Sequence, residues 1–233
     1  MKFFSTIAQS ITQLIYPNIC AACGEELLGN EHLICVTCTQ ALPKTNFHLQ
    51  HDNPVWQKFY GRVQIENATS LYYFNKNTLL QELLHALKYN GKQKIGVELG
   101  RRFAKEIVNC AWLKNVDYLI PVPISAKKIK QRGFNQSECI VEGLHQILNI
   151  PTDNTSIIRS KHTRSQTTMH INERIQNVKN AFAMQTKNLL ENKHVILVDD
   201  VLTTGATLES CAQEILALTN TKVSILTLAY AIE

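Results

Sequence analysis

The sequence predicts an α/β fold: a mostly parallel sheet flanked by helices, with a small cysteine-bound unit at the N-terminus. Three observations carry this. Short apolar runs of strand length alternate with stretches of helical period, which is the pattern of a parallel sheet with crossover helices. One run, Val195-Ile196-Leu197-Val198, is rich in β-branched residues and suits a strand buried on both faces. Finally, Cys20-Ala21-Ala22-Cys23 and Cys35-Val36-Thr37-Cys38 form two Cys-x-x-Cys pairs with eleven residues between them.

In chain order, Met1 to Tyr16 reads as an amphipathic helix through Phe3, Phe4, Ile7, Ile11, Leu14 and Ile15. Ser, Thr and Gln interrupt it throughout, so it lacks the apolar core of a signal peptide. The four clustered thiols can converge on one tetrahedral Zn²⁺, and Gly24 suits the tight turn after the first pair. Such a closed Cys₄ site is structural, because no position stays open for chemistry, and a short unit without a core of its own needs the metal. Its spacer carries Glu25, Glu26 and Glu31 and no Lys or Arg, which argues against this unit gripping phosphates alone. Pro43 to Gly61 lacks periodicity and reads as a linker. A strand is expected over 68–74, a helix over 78–88 ending at Asn90-Gly91, and a second helix over 95–112. Next come a strand over 116–120, stopped by Pro121-Val122-Pro123, a polar loop from Ser125 to Gln136, and a helix over 137–148. A strand over 154–158, a polar loop at 163–167, a short helix over 170–177, the run at 195–198 with its helix to about 219, and a last strand over 222–231 complete the reading.

The chain has 233 residues and a net charge of +5, compatible with phosphate-rich ligands or nucleic acid without singling them out. No run of about 18 apolar residues occurs, so no transmembrane segment is expected. Seven cysteines, an odd number with four in pairs, suit a cytoplasmic protein with a metal site better than a disulfide framework. Cys110, Cys139 and Cys211 fall in helical patterns and read as core thiols.

The chemistry concentrates in two stretches. Asp199 and Asp200 follow the apolar run at its expected carboxyl end, where open α/β sheets bind ligands. The loop Thr203-Thr204-Gly205-Ala206-Thr207 then opens a helix, whose N–H groups, hydroxyls and dipole suit an anion. The second stretch follows the strand ended by Pro121. There Pro123, Ile124 and Ser125 lead into Lys127, Lys128, Lys130 and Arg132, four cations in six residues, a density that suits a highly charged anion. No Gly-x₄-Gly-Lys-Ser/Thr loop occurs, which counts against a P-loop NTPase, and no Gly-x-Gly-x-x-Gly supports a dinucleotide fold.

The four apolar residues, two acids, two apolar residues and Thr-Thr-Gly-x-Thr of Val195 to Thr207 resemble the phosphoribosyl pyrophosphate (PRPP) signature of type I phosphoribosyltransferases. Further motifs narrow the resemblance: the cysteine pairs, Leu87-Lys88-Tyr89 with Gly91, Pro121-Val122-Pro123, Arg132-Gly133-Phe134-Asn135-Gln136, Thr163 with Gln166, Arg174 with Asn177, and Ala181-Phe182. In that order they resemble the ComF (ComFC/GntX) family, competence-associated proteins with a phosphoribosyltransferase-like domain. The likeness runs over nearly the whole chain and is thinnest from Pro43 to Gly61. Lys127 and Lys128 stand where family members often carry arginine, so the bidentate fork is lost while the charge is kept. The resemblance implies an N-terminal helix and zinc ribbon over 1–45, a linker over 46–65 and a phosphoribosyltransferase-like domain over 66–233. It implies that Asp199 and Asp200 hold the ribose hydroxyls and act in catalysis, with Val198 and Thr203 to Thr207 at the PRPP site. Pyrophosphate is expected near Pro123, Ile124 and Ser125, neutralised by Lys127, Lys128 and Arg132 together with Mg²⁺. The implied work is transfer or sensing of phosphoribosyl in support of DNA uptake. The alternatives are a non-catalytic PRPP-responsive adaptor for single-stranded DNA or a helicase-like competence protein, and a nucleotide-metabolism transferase with an unidentified acceptor. Against direct DNA binding, the sequence lacks a stripe of interleaved aromatic and basic residues.

Overall fold

The structure is a computed structural model that describes residues 18–89, 91–160 and 181–232. The helix expected over 1–16 and the loop and helix expected over 163–177 lie outside the described residues. Four strands form the central sheet: β1 (Ala68–Phe74), β2 (Tyr118–Pro121), β5 (His194–Leu202) and β6 (Lys222–Ala231). Their order is β1-β6-β5-β2 and every pairing is parallel. β5 therefore has a neighbour on each side, and Val195 to Val198 are all fully buried. The acids were expected just past the strand. Instead β5 continues through them to Leu202, because Asp199 and Val201 stay in register with Thr227 and Ala229 of β6.

Alternation along the strands separates two cores. Ile196 and Val198 face a layer built from α3 (Leu79–Tyr89), α4 (Gln93–Ile107), α6 (Gln136–Leu148) and the cysteine unit. Val195 and Leu197 face the opposite layer, made by α7 (Ala206–Leu216), residues 47–65 and a separate antiparallel pair. That pair joins β3 (Ile157–Arg159) to β4 (Phe182–Met184). The first layer depends on an unusually close helix crossing. A Cβ on Gly100 of α4 would lie 2.2 Å from the Ile140 carbonyl oxygen, and one on Gly143 of α6 would lie 2.1 Å from that of Val97.

Three expectations change. α4 stops at Ile107, and Ala111–Asn115 forms a 3₁₀ turn instead of prolonging it. The polar loop expected after Pro123 contains a helix, α5 (Ala126–Arg132). Ser125 caps it by accepting from the Lys128 N–H, and Gly133 ends it in the left-handed region at φ 82°. The stretch read as a linker is packed: Phe47, Val55, Phe59 and Ile65 are buried in the second core. It includes a short helix, α2 (Pro54–Gln57), capped by Asn53. The Asn53 Nδ2 group also donates to the carbonyls of Gln50 and Ala68 at 2.8 and 2.7 Å, tying the segment to β1.

Candidate functional site

A cleft of about 210 Å³ opens where β2 and β5 end. Its floor is the end of β5. Asp199 Oδ1 accepts from the Ser137 hydroxyl at 3.1 Å and from the Asp200 N–H at 2.9 Å. Asp200 Oδ2 lies 2.9 Å from the Lys88 ammonium at the end of α3. Burial, reinforced by the neighbouring Asp200 charge, pushes the Asp199 carboxyl up to about 7, although the Asp200 N–H, Ser137 and Lys88 pull the other way.

The basic wall grows from β2. Val122 N–H bonds to the Val198 carbonyl at 2.9 Å, carrying the chain past the strand end to Pro123 and Ile124. α5 follows, and then the Gly133-Phe134-Asn135 turn. Asn135 fastens this turn: its Nδ2 donates to the Val122 carbonyl at 3.0 Å, and its Oδ1 accepts from Ser137 N–H, capping α6. None of the α5 residues is buried, so its lysines stand in water. The Arg132 guanidinium lies 5.4 Å from the centre of the Tyr89 ring. His85 lies against the same ring at 4.8 Å between centroids, and Tyr89 is 54% exposed. Two sequence-distant segments therefore assemble an aromatic and basic cluster that neither shows alone.

The opposite wall is the loop before α7. Gly205 adopts φ 80° as the N-cap of α7, and a Cβ there would meet the Phe59 ring at 3.2 Å. Arg62 donates to the Thr204 carbonyl at 3.0 Å and pairs with Glu209 in the first turn of α7. The packed segment 46–65 thus braces the loop from behind.

Of the residues expected at the site, Pro123, Ile124, Lys128, Arg132, Asp199, Asp200 and Thr207 line this one cleft. Thr203 and Thr204 are exposed on the loop beside it, with buried Gly205 and half-buried Ala206 completing the turn. Ser125 serves as the α5 cap, Lys127 points into solvent, and the Val198 side chain is buried in the sheet. Lys88, Gln136 and Arg159 line the cleft as well, and Ser137 reaches its floor. Lys88 and Gln136 stood inside short motifs of the sequence but carried no spacing to the acids. Arg159 ends β3, one residue beyond the strand expected over 154–158, and stood in no motif of the sequence.

At the other pole, the sulfurs of Cys20, Cys23, Cys35 and Cys38 all lie within 4.8 Å of one another. Cys23 and Cys35 Sγ are 3.9 Å apart, against about 3.8 Å for two thiolates at tetrahedral corners around Zn²⁺ with bonds of about 2.3 Å. Backbone N–H groups of Ala22 and Cys35 point at the Cys20 sulfur. Burial opposes ionisation of Cys20, yet N–H groups from Cys23, Cys35 and Ala22 outweigh it and bring this thiol down to about 6. The cluster can therefore hold a metal such as zinc. Among the described residues no helix is long and apolar enough to cross a membrane.

Comparison with known proteins fits this geometry. Residues 135–233 match the phosphoribosyl transferase domain family. The chain is 28% identical over 223 residues to the DNA utilization protein YhgH of Escherichia coli K12, covering 87% of this chain and 92% of that one. It is 26% identical over 201 residues to the competence protein ComFC of Bacillus subtilis, covering 84% and 76%. Competence protein F of Haemophilus influenzae is 39% identical over 102 residues, 43% of this chain and 44% of that one. A parallel sheet flanked by helices, with acids and a threonine loop at the end of an inner strand, defines a type I phosphoribosyltransferase-like fold. Joined to the Cys₄ unit, and with the likeness to YhgH and ComFC over most of the chain, it supports a ComF-type, phosphoribosyltransferase-like protein.

Proposed function

We propose that the cleft binds PRPP and that the protein transfers, or responds to, its phosphoribosyl group in support of DNA uptake. The observation that carries this is the convergence of an acid pair, a threonine loop at a helix N-terminus and a cation-bearing wall on one cleft. A ribose diol offers two hydroxyl donors, which suit the acceptor oxygens of Asp199 and Asp200. The loop Thr203 to Thr207 suits the 5-phosphate through N–H groups and hydroxyls. Lys128 and Arg132, with Lys127 behind them, suit pyrophosphate beside the backbone of Pro123 to Ser125.

In transfer, the bond from C1 to the pyrophosphate oxygen breaks with its electron pair leaving on pyrophosphate, and positive charge gathers at C1 and the ring oxygen. Asp199 and Asp200 beneath the sugar stabilise that charge, while the basic wall stabilises the departing anion. The acceptor's nucleophile then bonds to C1. Mg²⁺ would be carried in by the phosphates and would share the task of neutralising them. Zinc at the four cysteines would be structural.

The test is calorimetric titration with PRPP and Mg²⁺, comparing wild type with Asp199→Asn/Asp200→Asn. Binding by wild type and a loss of at least tenfold in the variant supports the site; equal binding overturns it. Pyrophosphate release on addition of candidate acceptors separates an enzyme from a sensor.

A second reading is favoured by one feature. The exposed Tyr89, lying against Arg132 beside the lysines of α5, is a stacking and charge surface of the sort that holds single-stranded nucleic acid. An adaptor for single-stranded DNA or a helicase-like partner would use this wall from outside the cleft. Its affinity should fall steeply with salt, and Tyr89→Ala should weaken it more than it weakens PRPP binding.

A further inference from the structure

Two buried polar atoms of the cleft wall lack a hydrogen-bond partner among the described residues: Nε of Arg132 and Oε1 of Gln136. They stand at either end of the Gly133-Phe134-Asn135 turn, and both residues line the cleft. The Arg132 atom is a donor, and a phosphate oxygen satisfies it. Gln136 poses the opposite demand. The residue is 2% exposed, and its side-chain oxygen can only accept. A buried amide oxygen without a partner is costly, and an apolar side chain of that size would avoid the cost. Its neighbour Asn135 already performs the local structural work, with both amide atoms bonded. The remaining charged groups of this wall, Lys128, Arg132 and Arg159, all present donors to an anion. With its oxygen facing the cleft, Gln136 is matched by an O–H donor on a bound molecule and not by an ionised phosphate, which has no hydrogen to give. The terminal torsion of glutamine is soft, so the oxygen can meet such a group without moving the helix.

We propose that Gln136 is a binding residue of this cleft, its side-chain oxygen accepting a hydrogen bond from an O–H donor that arrives with the phosphorylated ligand. The inference rests on the PRPP reading and names a contact within it. Two sources can supply the donor: a ribose hydroxyl, or a water held by the divalent cation on pyrophosphate, since Mg²⁺ retains several of its waters.

The experiment titrates wild type, Gln136→Leu and Gln136→Met with three probes: PRPP with Mg²⁺, ribose 5-phosphate in magnesium-free buffer, and pyrophosphate with Mg²⁺. Thermal midpoints are recorded in parallel. Both variants should bind PRPP about tenfold more weakly, with a midpoint at or above that of wild type because an orphaned acceptor has been removed. Weakening towards ribose 5-phosphate assigns the donor to the sugar, and weakening towards magnesium pyrophosphate assigns it to the bound water. Undiminished PRPP affinity in both variants overturns the role of Gln136 and leaves the PRPP site standing. Affinity and midpoint falling together also overturn it, since the amide is then a structural prop. Absence of PRPP binding by wild type removes the PRPP reading itself, and this inference with it.

Discussion

The acid-bearing wall of the cleft is locked from behind, whereas the basic wall is hung from its ends. On the first, β5 lies between two strands, and Phe59 and Arg62 brace the loop from the second core. On the second, α5 has no buried residue and is fastened by Asn135 and by the seating of α6 against α4. The difference follows the chemistry each wall is suited to. A carboxylate pair must be held where burial and mutual repulsion oppose it, so it needs a rigid surround. Cations facing water need only be near an anion, and their long side chains supply the reach.

The largest effect should come from the anchor of the basic wall. Gly143→Ala drives a methyl into the backbone of α4, where no side chain can move aside. We expect a loss of about 3–5 kcal/mol, read as a lower denaturant midpoint. A loss below about 1 kcal/mol would show that the two helices are free to separate.

Asp199→Asn should have the next largest effect, and in the opposite direction. The folded-state pKa of about 7 lies above the ordinary carboxylate value, so the folded protein binds the proton more tightly than the unfolded chain. Stability from this group therefore falls as pH rises from about 4 to 7 and stays low above. Asparagine keeps an oxygen for Ser137 and the Asp200 N–H and removes the charge. We expect a gain of about 2–3 kcal/mol at pH 8 that vanishes near pH 4, measured by thermal unfolding across pH. PRPP affinity should meanwhile rise about tenfold from pH 6 to 8 in wild type, as the carboxyl ionises, and that rise should shrink in the variant.

Arg62→Ala tests whether the loop is braced. It removes one exposed ion pair and two charged hydrogen bonds, to the Lys58 and Thr204 carbonyls, and should cost about 1 kcal/mol with a several-fold weaker PRPP affinity. Affinity unchanged in the variant would show that the loop holds itself. The smallest effect is expected for Lys127→Ala/Lys130→Ala on α5, within about 0.5 kcal/mol of wild-type stability. Any larger loss would mean that this wall is packed rather than hung.

Much of this plan is legible in the residues. Val195 to Val198 announce an inner strand because burial on both faces demands an unbroken apolar run. The cysteine spacing announces its cluster because two short knuckles suffice to bring four sulfurs together. α5 escaped detection because a helix that buries no face has no hydrophobic period, although Ser125 and Gly133 marked its ends. Residues 46–65 looked like a linker because Phe47, Val55, Phe59 and Ile65 reach the core from turns and a four-residue helix, where no period of 2 or 3.6 applies. Glycines at 96, 100 and 143 signalled a close crossing only once α4 and α6 were known to be partners.

The sequence by itself determined the local pieces: strand, acid pair, threonine loop, cation cluster and cysteine knuckles. Each depends on neighbours a few residues away, through side-chain period, capping or chelate spacing. Only the tertiary structure decided that Lys88 meets Asp200, that Ser137 meets Asp199, that Arg132 lies on Tyr89, and that Gln136 is left buried without a partner. Those pairings join segments separated by tens of residues to more than a hundred. They follow from the order of parallel strands and the seating of helices on the sheet, which no local pattern encodes.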